Sequence, residues 1–365
     1  MPVAPARADR QADRVEASVL HAVRGVLGRC LSGPRALPWA VLAGAAVLAA
    51  VDPASTGTLA PWPFVVALAL FGMPHGAADW TVSARLSGRS GAWSRLAGFA
   101  GYLAMMLASL AVIMWQPGVA ALLFLLLTVF HFGMADATAV LADDDGPVAR
   151  WGLVLGRGLL LLSTAFAAHP QEAWEPFARI GAALSPSASP WQPGIAVLRD
   201  LAAVGVAAGA ALAACSAVAR IRAGHPREAA LDLAEHALVA TLAAAADPLF
   251  AVGCFFLGVH AFRHSRRLAC TRCVIEAPHA QSSQGRPAAP RPGLLGRLLR
   301  VHVASLPLMW PTAACLAVLC WLIGGADART LADASIAFYM ITTLPHHLLG
   351  LRLPRPDMPP AARAA

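Results

Sequence analysis

Six histidines fall inside long apolar stretches of this sequence: His75, His131, His260, His264, His346 and His347. A histidine in such surroundings either hydrogen-bonds across a helix interface or offers a neutral ring nitrogen to a metal. His260 and His264 are four residues apart, so on a helix both rings share one face and reach one ion. Imidazole suits iron, copper, zinc and nickel, and a site without cysteine disfavours structural zinc. Four imidazoles on an octahedral metal leave two positions open, which suits Fe(II) and dioxygen better than a closed structural site. His346 and His347 are adjacent and point in different directions, so at most one of them is expected to join such a site.

Ligating histidines usually donate their second N–H to a carboxylate or a carbonyl. Asp79, one turn after His75, fits that part, as do Asp136 and Glu235. The remaining histidines read as ordinary: His302 as interfacial, His236 as a packing residue, and His21, His169, His225 and His279 as loop or surface residues. Cys270 and Cys273 form a lone CxxC, half of a zinc site at most. Arg263, Arg266, Arg267 and Arg272 read as a membrane anchor facing lipid headgroups.

The elements that must position these rings are set by composition. Of 365 residues, 58% are hydrophobic and 13% charged, with a mean hydropathy of +0.61. That is too apolar for an ordinary soluble chain and the opposite of a disordered one. The expected fold is all-α, a polytopic membrane bundle of about 8–10 transmembrane helices. Apolar runs lie near 37–51, 61–80, 96–115, 119–138, 151–168, 196–219, 231–246, 248–264, 301–323 and 335–351. Residues 1–36 read as a basic amphipathic segment, 37–351 as the membrane domain with a flexible loop at about 265–300, and 352–365 as a tail.

All 28 basic residues are arginine. The absence of lysine excludes a retinal Schiff base in this chain and a P-loop. The net charge of +8 has no nucleic-acid recognition context, and the arginines sit between apolar runs. With the N-terminus inside, nearly all of them fall on one side, as the positive-inside rule requires. Both termini are then cytoplasmic, and the chain is a multi-pass protein of the inner (plasma) membrane. In this topology the histidine-bearing spans run outside to inside. His75 and His131 lie roughly 7–10 Å past the bilayer midplane at about 1.5 Å per residue, and histidines from separate helices at one level can converge.

Phe71-Gly-Met-Pro-His-Gly-Ala-Ala-Asp79, Phe130-His-Phe-Gly-Met-Ala-Asp136 and Val259-His-Ala-Phe-Arg-His264 resemble, in order, motifs of a known family. It is the Brp/Blh group of membrane-embedded β-carotene 15,15′-dioxygenases. Glu235, Pro248, the Phe255-Phe256 pair and Pro345-His346 also resemble family positions, so the likeness covers roughly 61–350. It implies Fe(II)-dependent cleavage of β-carotene, or a similar carotenoid, by dioxygen at the central double bond, giving retinal. It also implies that Fe(2+) is held by His75, His131, His260 and His264. The expected partners are the carotenoid, dioxygen, membrane lipids and, functionally, a retinal-binding opsin, with no nucleic acid. Two positions depart from the pattern: Val259, where the family has an aromatic at the pocket wall, and His347, where it has an apolar residue. The aromatic residues Phe71, Trp80, Phe130, Phe132, Phe255 and Phe256 are candidates for a substrate tunnel.

Three other readings compete. A di-iron membrane desaturase or hydroxylase has comparable histidine pairs, but the full HxxHH spacing and paired acids are absent. A metal- or proton-coupled transporter needs ionisable groups along a path through both membrane halves, whereas here they gather at one depth. A non-catalytic assembly factor for a retinal protein would need no metal.

Overall fold

Proline shows where many of the helices begin. Its missing N–H costs nothing in a first turn, and six helices open on one: Pro53, Pro117, Pro147, Pro170, Pro226 and Pro248. The structure, a computed structural model, describes residues 33–88, 92–142, 144–186, 193–271 and 293–353. Almost all of the expected N-terminal segment, Arg272, Cys273, His279 and residues 354–365 lie outside the described residues.

Among the described residues every regular element is helical. In order they are α1 (Ala36–Val51), α2 (Pro53–Leu59), α3 (Trp62–Ala67), a π turn (Leu68–Gly72), α4 (Met73–Ala77) and α5 (Asp79–Leu86). Then come α6 (Ala92–Trp115), α7 (Pro117–Val140), α8 (Pro147–Ala168), α9 (Pro170–Leu184), α10 (Ile195–Arg222) and α11 (Pro226–Ala245). The chain finishes with α12 (Pro248–Phe255), a second π turn (Phe256–Ala261), α13 (Phe262–Cys270), α14 (Leu294–Ile323) and α15 (Ala328–Arg352). Helix therefore extends into both ends of the loop expected at about 265–300.

Among the described residues five helices, α6, α7, α8, α10 and α14, are long and apolar enough to cross a bilayer. The segment from Pro53 to Ala84, bent by 48°, makes a sixth. The other long stretches, α11, α12–α13 and α15, carry Glu235, His260 with Arg263, and His346 with Asp333. The polar groups of interest thus lower the apolarity of the helices that hold them. The architecture is an all-α polytopic bundle. α6 and α14 are its outermost helices, with only 11% of their apolar windows buried in protein. α12 and α13 are nearly enclosed.

Close helix contact rests on small residues, which let backbones approach where lipid supplies no hydrophobic drive. Gly152 and Gly156 on α8 face Gly209, Leu212 and Ala213 on α10, with a Cβ on Gly152 only 2.6 Å from the Leu212 carbonyl. A Cβ on Gly133 of α7 would run into the Val154 backbone of α8, and one on Gly158 into the Val129 backbone. Gly133→Ala is therefore expected to force α7 and α8 apart and to cost about 1–3 kcal/mol or more. The check is the unfolding midpoint of the detergent-solubilised protein.

At the loop end of α15, Asp327 caps the helix by accepting the Thr330 amide at 2.9 Å. That hydrogen bond holds the Asp327 carboxyl below its ordinary pKa.

Candidate metal centre

The first π turn brings His75 to the bundle interior. Proline at position 74 has no N–H, which leaves the Leu70 carbonyl without its helical donor. His302 of α14 takes that place, with Nε2 2.7 Å from the Leu70 oxygen. His75 Nδ1–H donates to the Phe71 carbonyl at 2.7 Å, which fixes the tautomer and leaves Nε2 free. The second π turn contains His260 and leads directly into His264. π turns often mark functional positions in helices, and here both carry candidate ligands. His131 comes from α7, and His346 and His347 come from α15, each next to or near a proline or glycine that loosens the local backbone.

These rings converge. Centroids are 5.0 Å apart for His75 and His264, 4.6 Å for His131 and His260, and 6.0 Å for His75 and His260. His346 stands among them, 5.2 Å from His75, 5.3 Å from His131 and 5.1 Å from His264. A ring nitrogen sits about 2.1 Å from a bound metal, which puts ring centroids roughly 4.5 Å apart at right angles and about 6.4 Å apart when opposite. The observed spacings lie in that interval. His260 Nδ1 and His346 Nε2 are buried with no hydrogen-bond partner. Among the described residues, no three His, Cys, Asp or Glu side chains stand as a group that could hold a metal ion without moving. What the bundle provides is a set of imidazole donors with unpartnered ring nitrogens, and in chemical type that donor set fits a metal.

Of the adjacent pair, His346 stands among the rings and lines the cavity, whereas His347 points away from it and meets the cluster through His131. His347, where the family pattern has an apolar residue, lies behind His131 with the two Nδ1 atoms 3.0 Å apart. If His131 supplies the proton of that contact, its Nε2 stays free.

The carboxylates behave differently from expectation. Asp79 does not serve His75. It accepts His346 Nδ1–H at 2.7 Å and the Tyr102 hydroxyl at 2.9 Å. Asp136 and Glu235 hold arginines. Arg263 contacts Asp136 at 2.9 Å and Glu235 at 2.8 Å, and Arg157 contacts both acids as well. The network extends through Arg35, which pairs with Asp232 at 2.7 Å and Glu235 at 3.4 Å, to Arg220 with Asp232 and Asp145. Trp39 Nε1–H donates to Glu235 at 3.0 Å.

Arg263 is thus not a headgroup anchor. It is 2% exposed, because the helix continues to Cys270 and carries its opposite face inward. Arg266 is buried too, and Arg267 donates to the Leu353 carbonyl at 2.9 Å. Arg157 was missed by sequence reasoning. It sits alone inside an apolar run, and its intramembrane position was the available signal. His236 bonds its own helix through the Asp232 carbonyl at 2.6 Å, as a packing residue does.

The cluster forms one wall of an apolar cavity of about 300 Å³, to which His75, His131, His260 and His346 contribute. Of the proposed tunnel aromatics, Phe132 and Phe256 line it, and Phe71, Trp80, Phe130 and Phe255 do not. Those four pack on other rings instead: Phe71 on Phe262, Trp80 on Phe99, Phe130 on Trp151, and Phe255 on Phe132. Val259 is buried in the core away from the cavity, so its departure from the family pattern leaves the wall unchanged. Along α15 the lining runs from Ile336 to His346, about 15 Å at the helical rise. Leu103 and Met106 of α6 and Leu308, Pro311 and Thr312 of α14 also line it. Both helices pack against α15 and keep most of their apolar surface outside the protein.

His131 lies two and a half residues past the midpoint of Pro117–Val140, about 4 Å at 1.5 Å per residue.

Comparison with known proteins agrees with this picture. A family model described as beta-carotene 15,15'-dioxygenase matches residues 66–353. A probable beta-carotene 15,15'-dioxygenase Blh of Halobacterium salinarum is 29% identical over 341 residues, covering 87% of this chain and 91% of that protein. A beta-carotene 15,15'-dioxygenase of an uncultured marine bacterium, 66A03, is 34% identical over 100 residues, covering 26% of this chain and 36% of that protein. No solved structure matches the chain significantly.

Proposed function

The chain belongs to the β-carotene 15,15′-dioxygenase family, and from that membership we propose that it cleaves β-carotene, or a closely related carotenoid, at the central double bond to give retinal. The co-substrate in this reading is dioxygen. One carbon–carbon double bond is cut and each half gains one oxygen atom, so the equation balances without a further reductant. His75, His131, His260 and His264 are the residues that would hold Fe(II), whose chemistry when bound is the activation of dioxygen.

One observation carries the reading: a cavity lined almost wholly by carbon that has histidines from four separate chain segments on a single wall. Such a cavity takes a long hydrocarbon; apart from the histidine wall its polar lining is a few scattered side chains, among them Glu172, Thr128, Thr343 and Tyr339. Its flanking helices, α6 and α14, face lipid, where a carotenoid dissolves. Phe132 and Phe256 hold the polyene beside the rings. Their own contacts fix them, since Phe132 lies 4.7 Å and Phe256 5.7 Å from the His260 ring. Exclusion of water and alignment of one bond are what the chain itself contributes. A carotenoid lying across a hydrocarbon core of about 30 Å has its central bond at mid-depth, and His131 near the middle of α7 is well placed for it.

The competing enzyme reading loses support from the acids. Asp79, Asp136 and Glu235 are engaged by His346, Tyr102 and arginines, which leaves them unsuited to bridge two irons. Expression in bacteria that accumulate β-carotene tests the proposal. Loss of orange colour with one retinal pool rising to about twice the carotene lost is expected. Unchanged carotene beside folded, iron-loaded protein would overturn it.

A further inference from the structure

The four histidines implied by family resemblance leave His346 unassigned, although its ring is central to the cluster. It lies within 5.1–5.3 Å of His75, His131 and His264, closer to three of the four than His260 is to His75 or His264. Its Nδ1 donates to Asp79 at 2.7 Å. The same carboxylate oxygen accepts the Tyr102 hydroxyl at 2.9 Å. Asp79 and His346 are 4% and 6% exposed, so the contact is shielded from water. The other ring nitrogen, Nε2, is buried without any partner, and the residue lines the cavity.

A carboxylate behind one nitrogen and an empty lone pair on the other is how proteins prepare a histidine to ligate a metal. The carboxylate fixes the tautomer and raises the basicity of the ring. Of the six clustered histidines, His346 is the one whose ring contacts a carboxylate; His75 uses a backbone carbonyl and His131 uses His347. A buried Nε2 left idle would carry a desolvation cost with nothing in return.

We propose that His346 is a fifth ligand of the metal, positioned by Asp79 and Tyr102. This rests on the reading that the cluster binds Fe(II). Tyr102 comes from α6, Asp79 from α5 and His346 from α15, so three helices that contribute none of the other expected ligands are tied to the metal through one residue. The ligand count changes the chemistry available. Five imidazoles leave a six-coordinate ion a single open position, enough for dioxygen and with no place for a second exogenous donor.

The test uses the full-length protein purified in detergent, freed of metal and titrated anaerobically with Fe2+. Wild type is expected to show five imidazoles in the iron K-edge absorption fine structure. His346→Ala is expected to show four and to bind Fe2+ at least about 100-fold more weakly. Asp79→Asn, which preserves shape, is expected to weaken binding about 10–100-fold, the range typical of an outer partner. It also serves as the decisive variant if His346→Ala does not fold. Tyr102→Phe is expected to have a smaller effect in the same direction. Wild-type affinity and an unchanged spectrum in His346→Ala, or in Asp79→Asn where that variant decides, would overturn the proposal while leaving iron binding intact. A wild-type protein that binds no Fe2+ would overturn both this proposal and the reading beneath it.

Discussion

His260→Ala is expected to lose bound iron and retinal formation together, each by more than about 100-fold, since even outer partners of a metal ligand are worth 10–100-fold. His260 is enclosed by other rings of the cluster and by its aromatic surroundings. It lies 4.6 Å from His131 and 6.0 Å from His75, and Phe132 and Phe256 pack on it at 4.7 and 5.7 Å. It is 1% exposed, so neither water nor another side chain can take its place. The π turn Phe256–Ala261 sets its direction, and this backbone feature remains when the ring is removed. The substitution therefore reads out the ring and not the helix. His302→Ala is the contrasting control. Its ring nitrogens lie 2.7 and 2.9 Å from the Leu70 and Leu298 carbonyl oxygens, so the ring donates to one of the two and its removal should lower stability and leave iron per folded molecule unchanged. Iron content by elemental analysis and retinal by chromatography give the two readouts. A His260→Ala protein that keeps its iron and still forms retinal would remove His260 from the site.

The histidines were legible in the sequence because an imidazole in an apolar helix has no neutral explanation cheaper than a partner. Their helical spacing and the positive-inside pattern then placed them at one level. The identities of the partners were not legible. Period and spacing tell which face of its own helix a residue occupies, and they do not say what lies opposite. Asp79 follows His75 by one turn, yet its partner is His346 on α15. Arg263 was taken to lie beyond a span end near Arg266 and Arg267, whereas α13 continues to Cys270 and turns Arg263 toward Glu235. Arg157 escaped notice because a single charge in an apolar run belongs to neither loop when arginines are counted by side. Of the aromatics near the motifs only Phe132 and Phe256 line the cavity, and the rest of its aromatic wall, including Phe64, Phe124 and Tyr339, comes from elsewhere. Cavity walls come from the packing of distant helices, and adjacency in sequence says little about them.

Glu235→Ala is expected to destabilise the fold by about 3–5 kcal/mol, the usual cost of removing one partner from a buried charge pair, while leaving iron per folded molecule near the wild-type value. Glu235 is fully buried and accepts from Arg157, Arg263, Arg35 and Trp39. The network balances four guanidinium groups, of Arg35, Arg157, Arg220 and Arg263, against the carboxylates of Asp136, Asp145, Asp232 and Glu235. Removing one carboxylate leaves an uncompensated positive charge in a site that water does not reach. Removing Arg157 as well, in a Glu235→Ala, Arg157→Met double variant, restores the balance, and part of the lost stability should return. Such a return is non-additive, as expected for residues in direct contact. Denaturant unfolding in detergent measures all three proteins. The network joins α1, α7, α8, α10, α11 and α13, two of which carry candidate ligands, so it holds the helices of the site without touching a ring of the cluster. That separation is what the experiment examines. If Glu235→Ala lost iron in full while unfolding at the wild-type denaturant concentration, Glu235 would return to the part its sequence position had implied, partner to a metal-bound histidine.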